Sequence, residues 1–186
     1  MASSASPRSS APTVWQRLVA LAGPRAASLV LRFYPPLLGA GIRVARVAPG
    51  FREMVIEMPL RPWTRNYVGT HFGGSLYAMC DPFYMLMLME NLGSGYVVWD
   101  KSATIEFLKP GRGTVRARFQ LSEEQICQVR DEVERNGRCL PQFTVTVEDD
   151  KGQAVAKIGK VLSVRKASAQ RQDANAPPGA ARVRSE

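Results

Sequence analysis

The feature that most constrains the fold is an apolar segment at residues 73–92, which leaves almost no polar face when it is wound as a helix. Gly93 follows it as a stop signal. A helix of this kind has no side suited to water, so the rest of the chain must bury it on nearly all sides. Its apolar residues are Leu76, Met79, Cys80, Phe83, Met85, Leu86, Met87, Leu88 and Met89.

Segments that alternate apolar and polar residues flank this helix and predict strands. Two precede it, one beginning at Ile42 and one at residues 54–60, and Pro49-Gly50 joins them into a hairpin. Four follow it, and a turn at residues 149–152 joins the last two into a second hairpin. These four are residues 97–108, 114–121, 143–147 and 154–164.

A second helix is predicted between these strands. Ser122 and Gln125 form a capping-box signature, and Asn136-Gly137 ends the pattern. A single apolar stripe predicts that this helix lies on the surface.

The element order predicts an α+β domain at residues 40–167. One antiparallel sheet can cover a wholly apolar helix only by curling around it, so we expect a curled antiparallel sheet wrapped around a long buried central helix. The convex face and edges of the sheet need cover, which we expect from the N-terminal segment and from a second copy of the chain.

The two ends of the chain differ from this domain in composition. Residues 1–11 and 168–186 are rich in Ala, Ser, Pro, Gln and Arg without an apolar period, and we expect disordered tails there. Residues 12–39 read as a helical segment that packs on the domain or touches a membrane surface. No apolar stretch reaches the roughly 18–20 uninterrupted residues of a membrane span.

Charge argues against nucleic acid as the main partner. The net charge of +9 lies largely in the ends: residues 1–52 hold seven Arg and no acidic residue, whereas residues 53–164 hold thirteen basic and fourteen acidic residues, a net charge of −1. Three cysteines match no zinc or haem spacing, and we expect reduced thiols in a cytoplasmic protein. No motif predicts a metal or a cofactor.

One run of residues gives a specific resemblance. Asn66-Tyr67-Val68-Gly69-Thr70-His71-Phe72-Gly73-Gly74, followed by Asp81 in the apolar helix and by Lys109-Pro110-Gly111, resembles the signature of hot-dog acyl-CoA thioesterases of the phenylacetyl-CoA type. The chain most resembles an uncharacterised hot-dog branch labelled only as a domain of unknown function. The resemblance covers about 125 residues. It implies the hot-dog fold, which is the curled sheet expected above.

The resemblance also implies roles for single residues. Gly73 and Gly74 would open the central helix and hold a thioester carbonyl with backbone N–H groups. Asp81 would act as a general base toward water or as a nucleophile, with the partner protomer completing the pocket. Asn66, fifteen residues earlier, would orient the attacking water or the carbonyl.

Two further positions belong to the predicted substrate pocket. In the thioesterases the histidine directly precedes Gly-Gly, but here Phe72 intervenes and takes that place, so His71 would line the pocket or bond a loop carbonyl. Asp100 falls where some relatives carry a Ser or Thr that reaches the neighbouring site.

The residues also allow structural interpretations. Asp81 before Pro82 is a normal N-cap and first helical position; in a continuous helix, Pro82 would instead produce a kink. Asn66 is a common turn former, and Asp100 could pair with Lys101.

Three functions remain open from the sequence. The first is hydrolysis of an acyl-CoA or acyl-carrier thioester by a homodimer, and the sequence does not decide whether two dimers form a tetramer. The second is a non-catalytic acyl-thioester or lipid binder, and the third is a hydroxyacyl thioester dehydratase, suggested by His71-Phe72. For CoA phosphates, Arg65, Arg112 and Arg116 are candidates without a preference among them.

Overall fold

The structure is a computed structural model that describes residues 29–167. Both predicted tails and residues 12–28 of the predicted N-terminal segment lie outside the described residues. The strands are β1 (Arg43–Val47), β2 (Glu53–Pro59), β3 (Tyr96–Phe107), β4 (Thr114–Gln120), β5 (Arg138–Cys139), β6 (Gln142–Glu148) and β7 (Ala154–Lys166). The helices are α1 (Pro35–Gly39), α2 (Gly73–Ala78), α3 (Phe83–Leu92) and α4 (Glu123–Asn136), with short 3-10 turns at Pro49–Phe51 and Pro62–Thr64.

All seven strands form one antiparallel sheet in the order β1-β2-β4-β6-β7-β3, with the short β5 also paired to β7. The predicted hairpins β1–β2 and β6–β7 are present. Strand β5 was not predicted, because two residues are too few to show an alternation. The order leaves β1 and β3 as the edge strands, and β3 is twelve residues long.

The central helix begins and ends where the sequence predicted, at Gly73 and before Gly93, but it is broken into α2 and α3. The break lies at residues 79–82, because Pro82 has no N–H to donate to the preceding turn. Helix α3 begins at Phe83 with Pro82 at its N-cap, so Asp81 is not the cap residue. The inner side chains of both helices, such as Leu76, Phe83 and Met87, are buried in the core.

Helix α4 is the surface helix that the sequence predicted. Ser122 caps it, and the reciprocal bonds with Gln125 complete the capping box. Gly137 ends it with φ 71°, a left-handed conformation that favours glycine. One stripe is buried, formed by Ile126, Val129 and Val133.

The described end of the N-terminal segment lies against the domain. Residues 29–32 are helical, and the side chains of Leu31 and Leu37 are buried in the main core. Among residues 29–167, no helix combines the length and the apolar character needed to cross a membrane.

Candidate functional site

Asp81 lies in the break between α2 and α3, outside both helices. Its Oδ1 accepts hydrogen bonds from the Tyr77 hydroxyl at 2.7 Å and from the Lys160 ammonium at 2.8 Å. The side chain is 45% exposed, although Asp81 belongs to the apolar segment that the sequence predicted to be buried on nearly all sides. Among the described residues, none bonds to its second oxygen, Oδ2.

Lys160 holds this carboxylate from the inner face of β7. Its side chain is fully buried, and its Nζ lies 2.8 Å from Asp81 and 3.0 Å from Asp100. Burial alone would lower the pKa of Lys160, but its hydrogen bond to Asp81 and its ion pair with Asp100 outweigh burial and raise the pKa. Lys160 therefore stays charged and fixes both carboxylates. Tyr77, Asp81, Asp100 and Lys160 form what we call the Asp81 cluster.

Asp100 belongs to this cluster. It does not pair with Lys101, which the sequence had suggested as an alternative partner. Strand β3 is irregular between Asp100 and Ser102; Asp100 lies against Lys160 while Lys101 is exposed. Burial raises the pKa of Asp100 even though Lys160 acts to lower it. With two carboxylates and one ammonium, the ionised cluster carries a net charge of −1.

A separate cleft of about 430 Å³ holds most of the other predicted site residues. Asn66, His71 and Gly73 line it together with the apolar side chains of Leu76 and Phe107. Its remaining lining residues are Thr70, Leu108, Lys109, Pro110 and Gly111. The volume is within the roughly 300–1,000 Å³ of small-molecule sites.

The side-chain amide of Asn66 makes its hydrogen bonds within its own loop. Its Oδ1 accepts from the backbone N–H groups of Val68 at 3.1 Å and Thr70 at 2.9 Å. Its Nδ2 donates to the Thr70 hydroxyl at 2.9 Å and to the His71 carbonyl at 3.2 Å. In this structure Asn66 therefore closes a turn that shapes the cleft.

His71 both lines the cleft and bonds a loop carbonyl. Its side chain is buried, and Nε2 donates to the Gly113 carbonyl at 3.0 Å. Nδ1 has no hydrogen-bond partner within the described chain. Burial lowers the pKa of His71, although the bond to Gly113 acts in the opposite direction.

Aromatic rings lie directly on the two glycines that open α2. A Cβ at Gly73 would come within 3.0 Å of the Phe107 ring, and one at Gly74 within 2.5 Å of the Phe72 ring. Both rings are more than half exposed. A side chain at either glycine would require the neighbouring ring to move.

The predicted site residues therefore fall into two groups within one chain. Asn66, His71 and Gly73 line the cleft, with Phe72 and Gly74 beside it, whereas Asp81 and Asp100 lie in the Asp81 cluster. No residue of the Asp81 cluster lines the cleft.

Sequence reasoning missed Lys160 and Tyr77. A signal for Lys160 was present, because it occupies an inward position of the final strand between Ile158 and Leu162, where a charged residue is unusual. Cys80, beside Asp81, is no alternative nucleophile, because burial strongly raises the pKa of its thiol.

The sequence matches, over residues 23–164, the family model described as Domain of unknown function (DUF4442). No curated protein sequence matches the chain at a significant level.

Solved structures, some of them named as thioesterases, share the fold. A Pseudomonas aeruginosa protein of unknown function, named as a probable thioesterase, has TM-score 0.62 and 21% identity, covering 83% of this chain and 97% of its own. A Chlorobaculum tepidum protein of unknown function has TM-score 0.64 and 19% identity, covering 79% and 99%. A Haemophilus influenzae thioesterase has TM-score 0.55 and 18% identity, covering 73% and 86%. At these identities the similarity establishes the hot-dog fold.

Proposed function

Because the chain belongs to the family described as Domain of unknown function (DUF4442) and has the fold of hot-dog thioesterases, we propose that it hydrolyses an acyl thioester with Asp81 as general base or nucleophile. Acyl-CoA is the expected substrate class, and an acyl group on a carrier protein has the same reacting bond.

The observation that carries this proposal is the position of the Asp81 carboxylate. Tyr77 and Lys160 fix Oδ1, while Oδ2 has no partner among the described residues and the side chain is partly exposed. A carboxylate held in one orientation with one oxygen free is suited to accept a proton from water or to attack a carbonyl carbon.

The proposed reaction uses Asp81 and the start of α2. In the general-base route, Oδ2 takes a proton from water as the water oxygen bonds to the thioester carbonyl carbon. The carbonyl then re-forms as the C–S bond breaks, and the leaving thiolate takes the proton that Oδ2 had accepted. The Gly73 and Gly74 N–H groups would stabilise the negative carbonyl oxygen, a contribution of about 3–4 kcal/mol per donor in preorganised sites.

Because the Asp81 cluster and the cleft do not share a residue within one chain, we propose that Asp81 of one protomer acts in the cleft of its partner. Strand β3 supports a homodimer, since its outer edge is unpaired and long and exposes Trp99 and Phe107. The acyl chain would contact Leu76, Phe107 and Leu108 in the cleft.

The direct test is release of free thiol from short, long and aromatic acyl-CoAs by the wild type and by Asp81→Asn. The change is isosteric and removes the basic oxygen, so we expect release to fall at least about a hundredfold without loss of the fold. Asp150→Asn is the matched control, since Asp150 is an exposed loop carboxylate paired with Arg116.

Equal turnover by the Asp81→Asn variant would exclude Asp81 as base and nucleophile. If the wild type bound acyl-CoA but released no thiol from any member of the panel, the protein would be a binder without hydrolytic activity.

A further inference from the structure

A second cavity, of about 320 Å³, lies where α1, β1 and the turn after β2 meet. Three arginines line it, Arg32, Arg43 and Arg61, and Trp63 and Leu38 complete its wall. We call it the basic pocket. None of its residues belongs to the Asp81 cluster or to the cleft.

The three arginines of the basic pocket have no ion pair with any described acidic residue, unlike other arginines nearby. Arg46 on the same strand pairs with Glu53, and Arg116 pairs with Glu57 and Asp150. The N-terminal 28 residues cannot supply the missing carboxylate, because the first acidic residue of the chain is Glu53.

Of these three arginines, Arg43 gives the most specific evidence for an anionic ligand. Its Nε is buried and has no hydrogen-bond partner within the described residues. A buried guanidinium N–H without an acceptor is costly, and three cations around one cavity repel one another unless an anion neutralises them. Among residues 29–167, the pocket therefore lacks an anionic acceptor.

Trp63 indicates which chemical group of the ligand lies next to its anionic group. Its ring is 71% exposed, and the Arg61 guanidinium lies 5.4 Å from the ring centroid, which holds both side chains at the pocket rim. A flat apolar surface beside clustered cations suits a ligand in which a charged group adjoins an aromatic base or an acyl chain.

We propose that the basic pocket binds the phosphate of a ligand that carries such an apolar or aromatic group. Arginine matches phosphate because its planar fork donates two parallel hydrogen bonds. Two sources have this chemistry, a phosphorylated nucleoside such as the one in CoA and the headgroup of an anionic phospholipid. The residues differ from Arg65, Arg112 and Arg116, which the sequence suggested for phosphate. The inference does not depend on thioester hydrolysis.

The test measures binding without any reaction, on the full chain at low salt, where exposed charge interactions are least screened. One arm titrates adenosine 3′,5′-bisphosphate by calorimetry. The other sediments the protein with phosphatidylcholine vesicles that contain or lack phosphatidylglycerol. Both arms compare the wild type with Arg43→Gln, Arg61→Gln and the control Arg46→Gln, which removes the same charge from outside the pocket.

We expect binding in one arm to weaken by about tenfold or more in Arg43→Gln and Arg61→Gln and to stay at the wild-type level in Arg46→Gln. Nucleotide binding with this pattern identifies a nucleotide site, and vesicle binding with this pattern identifies a headgroup site. Arg61 is exposed, so its variant tests the pocket even if Arg43→Gln is unstable.

Two results would overturn the proposal. In one, the wild type binds neither the nucleotide nor the anionic vesicles. In the other, the three variants weaken binding equally or not at all, which would assign any binding to overall charge or to the Arg-rich N-terminal residues.

Discussion

Lys160 is the residue on which the orientation of Asp81 depends most. It is fully buried and lies within 3.0 Å of the carboxylates of both Asp81 and Asp100. Without the ammonium group, two carboxylates would face each other with no cation between them, and burial already raises the pKa of Asp100. Lys160 is therefore a positioning residue for the proposed base as well as a structural one.

Replacing Lys160 by Met tests this role. Removing one partner of a fully buried ion pair costs about 3–5 kcal/mol, and we expect roughly 2–3 kcal/mol of unfolding free energy here because Asp81 is partly exposed. Urea denaturation measures it, with Lys157→Met as the control at an exposed position of the same strand. A loss no larger than that of Lys157→Met would show that the cluster does not stabilise the fold.

His71 gives a pH-dependent prediction, and it is the only histidine of the chain. Burial lowers its pKa in the folded protein below 6.5, so the unfolded chain binds more protons in the range just under pH 6.5. The folded protein is therefore most stable, with respect to this group, above pH 6.5. Its stability falls as the pH decreases from the pKa of His71 in the unfolded chain toward the lower pKa of His71 in the folded protein.

The measurement is the urea midpoint of wild type and His71→Gln at pH 7.5, 6.5 and 5.5. We expect the wild type to lose stability relative to His71→Gln as the pH falls. A difference between the two proteins that stays constant from pH 7.5 to 5.5 would contradict a buried neutral His71.

The residues of the site could be predicted from the sequence better than their contacts. The resemblance to hot-dog thioesterases gave Asn66, Gly73, Gly74 and Asp81 as candidates. The partner that Asp81 and Asp100 share, Lys160, lies on β7, 79 residues along the chain from Asp81, and neighbouring sequence cannot show such a pair. From the sequence, Lys101 is the adjacent cation with which Asp100 could pair, but in the structure Asp100 pairs with Lys160.

At the scale of elements, the central helix is divided into α2 and α3 at residues 79–82. The sequence predicted the ends of the helix from its apolar run and Gly93. Whether Pro82 would kink or divide it depended on tertiary packing. The division places Asp81 outside a regular helical turn and against Lys160.

Substituting Pro82 by Ala tests what the break contributes. Alanine restores an N–H that can bond the Ala78 carbonyl, so we expect α2 and α3 to join more continuously and stability to be kept or raised. The same change should move Asp81 away from Lys160 and lower thiol release by at least about tenfold. The two readouts are melting temperature and turnover. Wild-type turnover in Pro82→Ala would mean that the break is not needed for activity.

At the scale of the whole molecule, the sheet curls around α2 and α3, and the long β3 lies at its edge. The fold followed from the sequence because a wholly apolar helix leaves few arrangements for one antiparallel sheet. The sequence could not show that the candidate site residues separate into a cleft and the Asp81 cluster. That division is the reason for placing the proposed reaction between two protomers.

The most direct test joins two inactive variants in one dimer. Gly74→Val should block the helix start of the cleft, and Asp81→Asn should remove the base, so each homodimer is expected to be inactive. Co-expression with two different affinity tags isolates the heterodimer, whose mass should be twice the 20.5 kDa of the chain.

In the heterodimer, one site combines the intact cleft of one protomer with the intact Asp81 of the other. We predict that it releases thiol at about half the wild-type rate per dimer, as expected for one complete site of two in a symmetric dimer. A purified heterodimer that is as inactive as both parents would contradict a site shared between protomers.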